Sequence, residues 1–145
     1  VNVNWEKIKH SENENRPRFD IPRELPALMR AEKVQKKAAE VGFDWPDIKG
    51  AWAKIHEELE ELEAAFRTEA TPKVREEVGD VLFAVVNTAR FLQVDPEEAL
   101  TRAIDKFVKR FNYIETAAGQ KGQVLEDMSL DEMDELWNQA KKQSK

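Results

Sequence analysis

Glu57-Glu58-Leu59-Glu60-Glu61, followed after a short polar link by Glu77-Val78-Gly79-Asp80, sets two acidic clusters on two segments that read as helices. Residues i and i+3 of a helix share a face about one turn apart. Glu58 therefore points with Glu61, and Glu77 with Asp80. The link ends in Thr71-Pro72, read as an N-cap and a first helical residue, so the spacing predicts an antiparallel helix pair. Four carboxylates would then converge across the seam. Unpaired, such a cluster repels itself. Hard divalent cations with oxygen ligands are the usual resolution, and Mg²⁺ is the commonest where phosphates complete the shell.

Both helices carry Lys-x-x-x-Glu-x-x-(Glu or Asp), since Lys54 precedes Glu58 by four and Lys73 precedes Glu77 by four. A surface salt bridge is one reading, although Lys before Glu is its weaker order. Asp80 stands nearly alone among apolar residues from Val78 to Leu92, where a carboxylate is costly unless paired or metal-bound. Gly79 beside it weakens the helix by about 1 kcal/mol relative to Ala, which suggests a close approach there. Asn87 shares the face of Asp80 as a neutral polar neighbour. Taken alone, residues 57–61 read as a solvated charged face; Glu77 with Asp80 reads as a metal site.

The 145 residues suit one compact domain, and a net charge of −6 argues against nucleic acid or an anionic membrane as partner. There is no cysteine, hence no disulfide or thiolate chemistry. No apolar run approaches a membrane span and no signal peptide opens the chain, so a cytoplasmic home is expected. The missing initiator Met suggests an excised piece. Residues 1–20 are expected to be a tail of a preceding domain, a helical stub with Trp5 and Ile8 and then a flexible linker; residues 21–145 form the domain itself.

Reading in order, a first helix is predicted from about Pro26 to Val41, with Ala27, Ala31, Val34, Ala38 and Val41 on one side and Gly42 as its stop. Phe43 and Trp45 in the following loop read as a hydrophobic plug under the next helix, with base stacking as the functional alternative. The second helix, about Asp47 to Arg67, repeats Ile48, Trp52, Ile55, Leu59, Leu62 and Phe66 as a heptad-type seam. The third, Thr71 to about Leu92, is apolar on several sides, so a homo-oligomer is predicted. Asp95-Pro96-Glu97-Glu98 starts a fourth helix to about Thr116, burying Leu100, Ala103, Ile104, Phe107, Phe111 and Ile114. Lys106 and Arg110 on an adjoining face are either a solvated basic face or a clamp for anionic oxygens. Gly119-Gln-Lys-Gly-Gln reads as a loop, and Ser129 with Glu132 is a capping box opening a last helix. The class is all-α. A di-iron bundle would need Glu three residues before a His, and His10 and His56 follow Lys7 and Ala53 instead.

With these residues set out, the chain resembles the MazG family of nucleoside triphosphate pyrophosphohydrolases. The resemblance lies in Glu57-Glu58-x-x-Glu61 and Glu77-x-x-Asp80, flanked by Leu25-Pro-Ala-Leu-Met-Arg-Ala, Val41-Gly-Phe-Asp-Trp45, Gly79-Asp-Val-Leu-Phe-Ala and Lys106-Phe-x-x-Arg110-Phe. Asn4-Trp-Glu-Lys-Ile-Lys is similar to the end of the preceding repeat in two-domain members, which makes this the expected C-terminal domain. The resemblance implies a dimeric helical bundle of the all-α NTP pyrophosphatase type, dependent on Mg²⁺, that cleaves nucleoside triphosphates to monophosphate and pyrophosphate. By position it implies that Glu58, Glu61, Glu77 and Asp80 hold the metal. Lys54, Lys73, Lys106 and Arg110 would meet the phosphates, with Trp137 near the nucleotide; Asn87, on the face of Asp80, is counted with the substrate-contacting residues from its position alone.

The mechanism expected is hydrolysis by in-line attack of a metal-activated water at the α-phosphorus, with Glu57 or Glu61 orienting or deprotonating the water. A non-catalytic helical dimerisation module is the rival reading. Pyrophosphohydrolases of dUTP, dCTP or phosphoribosyl-ATP are the related ones.

Overall fold

The computed structural model describes residues 16–143, so the expected stub with Trp5 and Ile8, and most of the expected 1–20 tail, lie outside the described residues. Five α-helices follow in order: α1 (Ala27–Ala39), α2 (Ile48–Arg67), α3 (Thr71–Phe91), α4 (Pro96–Gln120) and, after a 3₁₀ turn at Leu125–Asp127, α5 (Leu130–Gln143). No strand occurs among the described residues, and the chain is all-α there. No described helix is long and apolar enough to cross a membrane.

Local signals set the helix ends. The Asp47 side chain accepts from the Lys49 amide at 2.8 Å, and Asp95 accepts from the Glu97 amide at 3.0 Å. At α5 the capping box closes both ways: Ser129 Oγ accepts from the Glu132 amide at 3.1 Å, and Glu132 Oε1 accepts from the Ser129 amide at 3.4 Å. The C-terminal ends of α1 to α4 share one device. Gly42, Glu69, Gln93 and Gly122 all take positive φ. The residue after each returns its amide to the carbonyl of Ala38, Ala65, Ala89 and Ala118 respectively. Gly42 was the expected stop; Glu69 and Gln93 carry no glycine signal, and each bears roughly 1 kcal/mol of left-handed strain.

Two expected boundaries shift. Helix α4 continues through Gly119 to Gln120, past the expected end at Thr116, because its left-handed stop is Gly122. Ala70, not Thr71, caps α3, without a side-chain bond. The tight turn explains this: Ala70 donates back to Ala65 and accepts from Val74, serving the end of α2 and the start of α3 at once.

The described residues divide into two compact units, one ending at Glu97 and the other beginning at Glu98. In the first, α2 and α3 fold back along each other and α1 packs on α3. The line of α2 that is buried is Ala51, Glu58 and Ala65, not the expected Trp52, Leu59 and Phe66, which are exposed. Both lines repeat every seven residues, but the small side chains let the helix backbones come close, and the large ones turn outward. On α3, Ala84, Val86 and Thr88 are buried, while Val78, Leu82, Phe83 and Val85 remain exposed.

The expected close approach at Gly79 is absent: a Cβ there would meet nothing within 4 Å. Gly50 is where contact forbids a side chain, since a Cβ would lie 2.5 Å from the Trp45 ring. Gly to Ala inside a helix ordinarily stabilises by about 1 kcal/mol. Gly50→Ala is expected to do the reverse, because overpacking costs about 1–3 kcal/mol. A lowered melting temperature together with a changed tryptophan emission spectrum would record the displaced Trp45 ring.

In the second unit, Ile114 and Ala118 of α4 and Leu136 and Ala140 of α5 are buried. Trp137 packs on Phe107 with centroids 5.3 Å apart. Leu100, Ile104 and Phe107, expected to be buried, are exposed. Gln139 and Gln143 of α5 also meet the Tyr113 hydroxyl of α4.

Candidate metal and nucleotide site

The acidic clusters meet where α2 and α3 run side by side. One carboxylate oxygen from each of Glu58, Glu77 and Asp80 can be chosen so that all lie within 4.8 Å of one another. Burial differs from the expectation. Glu77 is 1% exposed and Glu58 6%, whereas Asp80, expected to be the costly buried acid, is exposed. The apolar neighbours of Asp80 on α3 are themselves largely exposed, so sequence context overstated its enclosure.

Each buried glutamate has one oxygen satisfied and one not. Lys73 Nζ lies 2.9 Å from Glu77 Oε1, and Lys54 Nζ lies 3.1 Å from Glu58 Oε1. The salt-bridge reading of the doubled lysine pattern is thus realised. Oε2 of Glu58 and of Glu77 are both buried without a hydrogen-bond partner among the described residues. Buried carboxylate oxygens left this way are costly. A third carboxylate beside them completes an all-oxygen donor set, the chemistry a hard divalent cation takes. These residues fit such a cation.

Glu61, expected as a metal ligand and as the base, is exposed and stands outside that trio. The negative charge of Glu58 chiefly, then partial burial and the charges of Glu77 and Glu57, hold its carboxyl above the ordinary range. Glu57, the other candidate base, is exposed and pairs with Lys54 at 3.0 Å. Hydrogen bonding to Glu77 chiefly, then the charges of Glu76 and Glu77, raise the Lys73 ammonium. Its partner Glu77 is held below the ordinary carboxylate range, mainly by that same bond.

The signs of these shifts oppose each other. Glu77, lowered, contributes stability above its unfolded value and loses it as pH falls through its folded one. Glu61, raised, is least unfavourable when protonated, so its contribution falls as pH rises through its folded value. A divalent cation competes with protons for the same oxygens. The melting-temperature gain from Mg²⁺ is therefore expected to be small on the acid side of the carboxylate range and to grow toward neutrality; a pH series of melting curves with and without Mg²⁺ checks this.

A cleft of about 680 Å³ opens beside the trio, with Lys54, Glu58 and Asp80 in its wall. Along α3 it follows one stripe, Asp80, Phe83, Ala84, Asn87 and Arg90, about 15 Å long. Val34, Gln35 and Ala38 of α1 and residues 42–45 form other parts of its wall. Arg90 ties that loop down through an ion pair with Asp44 and donates to Asn87 Oδ1 at 2.9 Å. Gln35 is buried and donates Nε2 to the Phe83 carbonyl oxygen at 2.9 Å. The expected plug is only half realised: Trp45 rests on Gly50, but Phe43 is 82% exposed and lines the cleft.

Gln35, Asp44 and Arg90 were not singled out from the sequence. For Gln35 a signal existed, because it lies on the same face as Ala31, Val34 and Ala38, a polar residue in an apolar stripe. The Asp44–Arg90 pair spans 46 residues and left no local pattern. In the second unit the guanidinium of Arg110 lies 5.4 Å from the Trp137 ring centroid, and its Nε is buried without a partner among the described residues. Lys106 is exposed there.

The sequence pattern of the MazG nucleotide pyrophosphohydrolase domain matches residues 49–114, a span holding both acidic clusters. The chain is 43% identical over 140 residues, 94% of its length, to the nucleoside triphosphate pyrophosphohydrolase/pyrophosphatase MazG of Thermotoga maritima. It is 42% identical over 149 aligned positions to the nucleoside triphosphate pyrophosphohydrolase of Escherichia coli K12, covering 99% of this chain. YabN of Bacillus subtilis is 48% identical over 146 positions, with 97% of this chain and 30% of that protein aligned. The chain spans little more than half the length of the first two relatives, 54% and 57% respectively.

Proposed function

The chain belongs to the MazG family through its residues 49–114, and on that footing we propose that it hydrolyses nucleoside triphosphates to the monophosphate and pyrophosphate with Mg²⁺ at Glu58, Glu77 and Asp80. One observation carries this most: two buried glutamates from different helices each keep an unpartnered oxygen beside a third carboxylate. A cation held there would neutralise polyphosphate charge and lower the pKa of an attacking water.

The remaining roles fall to side chains already placed. Glu57 is held by Lys54, so the exposed Glu61 is assigned as acceptor of the water proton. Lys54 and Lys73 present ammonium groups at the mouth of the trio, available to phosphate oxygens. In the second unit, Lys106 and Arg110 are assigned to phosphates and Trp137 to the nucleotide from the family resemblance, and Arg110 keeps an unpartnered Nε for such a role. Asn87 lines the cleft past Asp80.

A second copy of this chain is the proposed partner. Trp52, Leu59 and Phe66 on α2 and Val78, Leu82 and Val85 on α3 leave two apolar lines exposed on a helix pair, the surface a symmetric dimer would cover.

Incubation with each nucleoside triphosphate and Mg²⁺, with separate assays for pyrophosphate and orthophosphate, tests the reaction. Pyrophosphate in step with monophosphate is expected. Orthophosphate as first product would place attack at the γ-phosphorus and overturn it. A single strong preference among dUTP, dCTP or phosphoribosyl-ATP would narrow the substrate, and no release from any nucleotide would favour a non-catalytic module.

A further inference from the structure

Gln35 is 7% exposed and lines the cleft. Its Nε2 donates to the Phe83 carbonyl oxygen, which can only accept, so turning the amide over would lose that bond. The amide orientation is therefore fixed, with its oxygen turned away from that carbonyl. Oε1 is buried and has no hydrogen-bond partner among the described residues. A buried acceptor without a donor is unfavourable, and a ligand that supplies the donor gains accordingly.

The surroundings narrow what that ligand is. Asn87 cannot occupy the role through its own oxygen, which is taken by Arg90. Phe83 follows Asp80 by three residues on α3, about 5 Å along the axis. With a polyphosphate tail on the carboxylate side of the cleft, the part of the substrate that reaches this distance is the nucleoside half, and Phe43 offers that half an exposed ring. We infer that Gln35 reads the nucleoside: Oε1 accepts a hydrogen bond from an N–H on the base edge or an O–H on the sugar. This rests on the nucleotide reading above. It adds a specificity-determining residue for which the acidic motifs give no signal.

The test uses hydrolysis-resistant α,β-methylene triphosphates with Mg²⁺, so that binding is read by calorimetry apart from turnover. In the base arm, adenosine is set against purine riboside, guanosine against inosine, and cytidine against 2-pyrimidinone riboside, each pair differing only in the exocyclic amine. Uridine against its N3-methyl derivative completes that arm. In the sugar arm, ribose is set against its 2′-deoxy and 3′-deoxy forms. At least one pair is expected to favour the donor-bearing member by about tenfold in Kd. In Gln35→Met that preference collapses to within about twofold, and in Gln35→Glu, which keeps an acceptor but loses the bond to Phe83, it persists.

The arm that responds identifies the donor. Equal affinities within every wild-type pair, a preference that survives in Gln35→Met, or one lost in both variants alike would each overturn the assignment. If circular dichroism shows Gln35→Met unfolded, loss of the preference in Gln35→Glu overturns it, and retention there supports it. Selective binding without pyrophosphate release from ordinary triphosphates would sink the hydrolytic reading alone.

Discussion

Glu77→Gln is expected to lower kcat/KM for Mg²⁺-dependent pyrophosphate release by at least about 1000-fold, several kcal/mol of transition-state stabilisation. Glu77 is the most enclosed acid among the described residues, 1% exposed, with one oxygen on Lys73 and the other without a partner there. The amide keeps the size of the carboxylate but brings an N–H₂ group where a cation needs an anionic oxygen. Helix content by circular dichroism should be unchanged. In EDTA the variant should melt below wild type, because Lys73 holds the ionised Glu77 carboxylate in the fold and the amide gives up that stability. A salt bridge with no catalytic part would show the same loss in melting temperature while leaving Mg²⁺-dependent turnover nearly unchanged. Steady-state kinetics and melting curves on one preparation therefore separate a catalytic cluster from a structural salt bridge.

Leu59→Glu is expected to weaken self-association by roughly a thousandfold or more in Kd. Leu59 is exposed, one heptad from Trp52 and from Phe66, which are exposed as well. In a two-fold symmetric interface every substitution occurs twice. Two leucine side chains withdrawn from burial cost roughly 2 kcal/mol each, and the carboxylates add desolvation. Analytical ultracentrifugation should show wild type as a concentration-dependent dimer and the variant as a monomer. The melting temperature of wild type should rise with protein concentration, and that of the variant should not. A monomeric wild type at high micromolar concentration would contradict the assignment of this face.

What could be read before the coordinates, and what could not, divides along physical lines. Helix starts are local chemistry where a side chain caps them, so Asp47, Asp95 and the Ser129–Glu132 box stood where their side chains announced them, but the expected Thr71 cap gave way to Ala70, which serves both helix ends of the tight turn. Stops were legible where glycine made them, at Gly42, and hidden where Glu69 and Gln93 take the same left-handed turn without one. Periodicity placed a seven-residue repeat on α2 but not its direction: the Ala51, Glu58, Ala65 line and the Trp52, Leu59, Phe66 line have the same period. Residue size decided between them, since close helix packing favours alanine. That acids of the two helices come together was legible from the i,i+3 spacing, which set Glu77 with Asp80 on one face; the same spacing set Glu61 with Glu58, and Glu61 stands outside the trio. Which of them is enclosed was not, because burial depends on the neighbouring helix. The Asp44–Arg90 tie and the fixed amide of Gln35 arise from residues far apart in sequence, and only the folded chain brings them to one cleft.

Thermal melting of metal-stripped wild type and Glu77→Gln across a Mg²⁺ titration addresses the acidic trio itself, apart from any turnover. Wild type should gain several degrees, rising with the logarithm of Mg²⁺ beyond saturation, and Glu77→Gln should show no specific gain. A wild-type chain whose melting is indifferent to Mg²⁺, or a variant that responds as strongly, would mean that Glu58, Glu77 and Asp80 do not hold a cation.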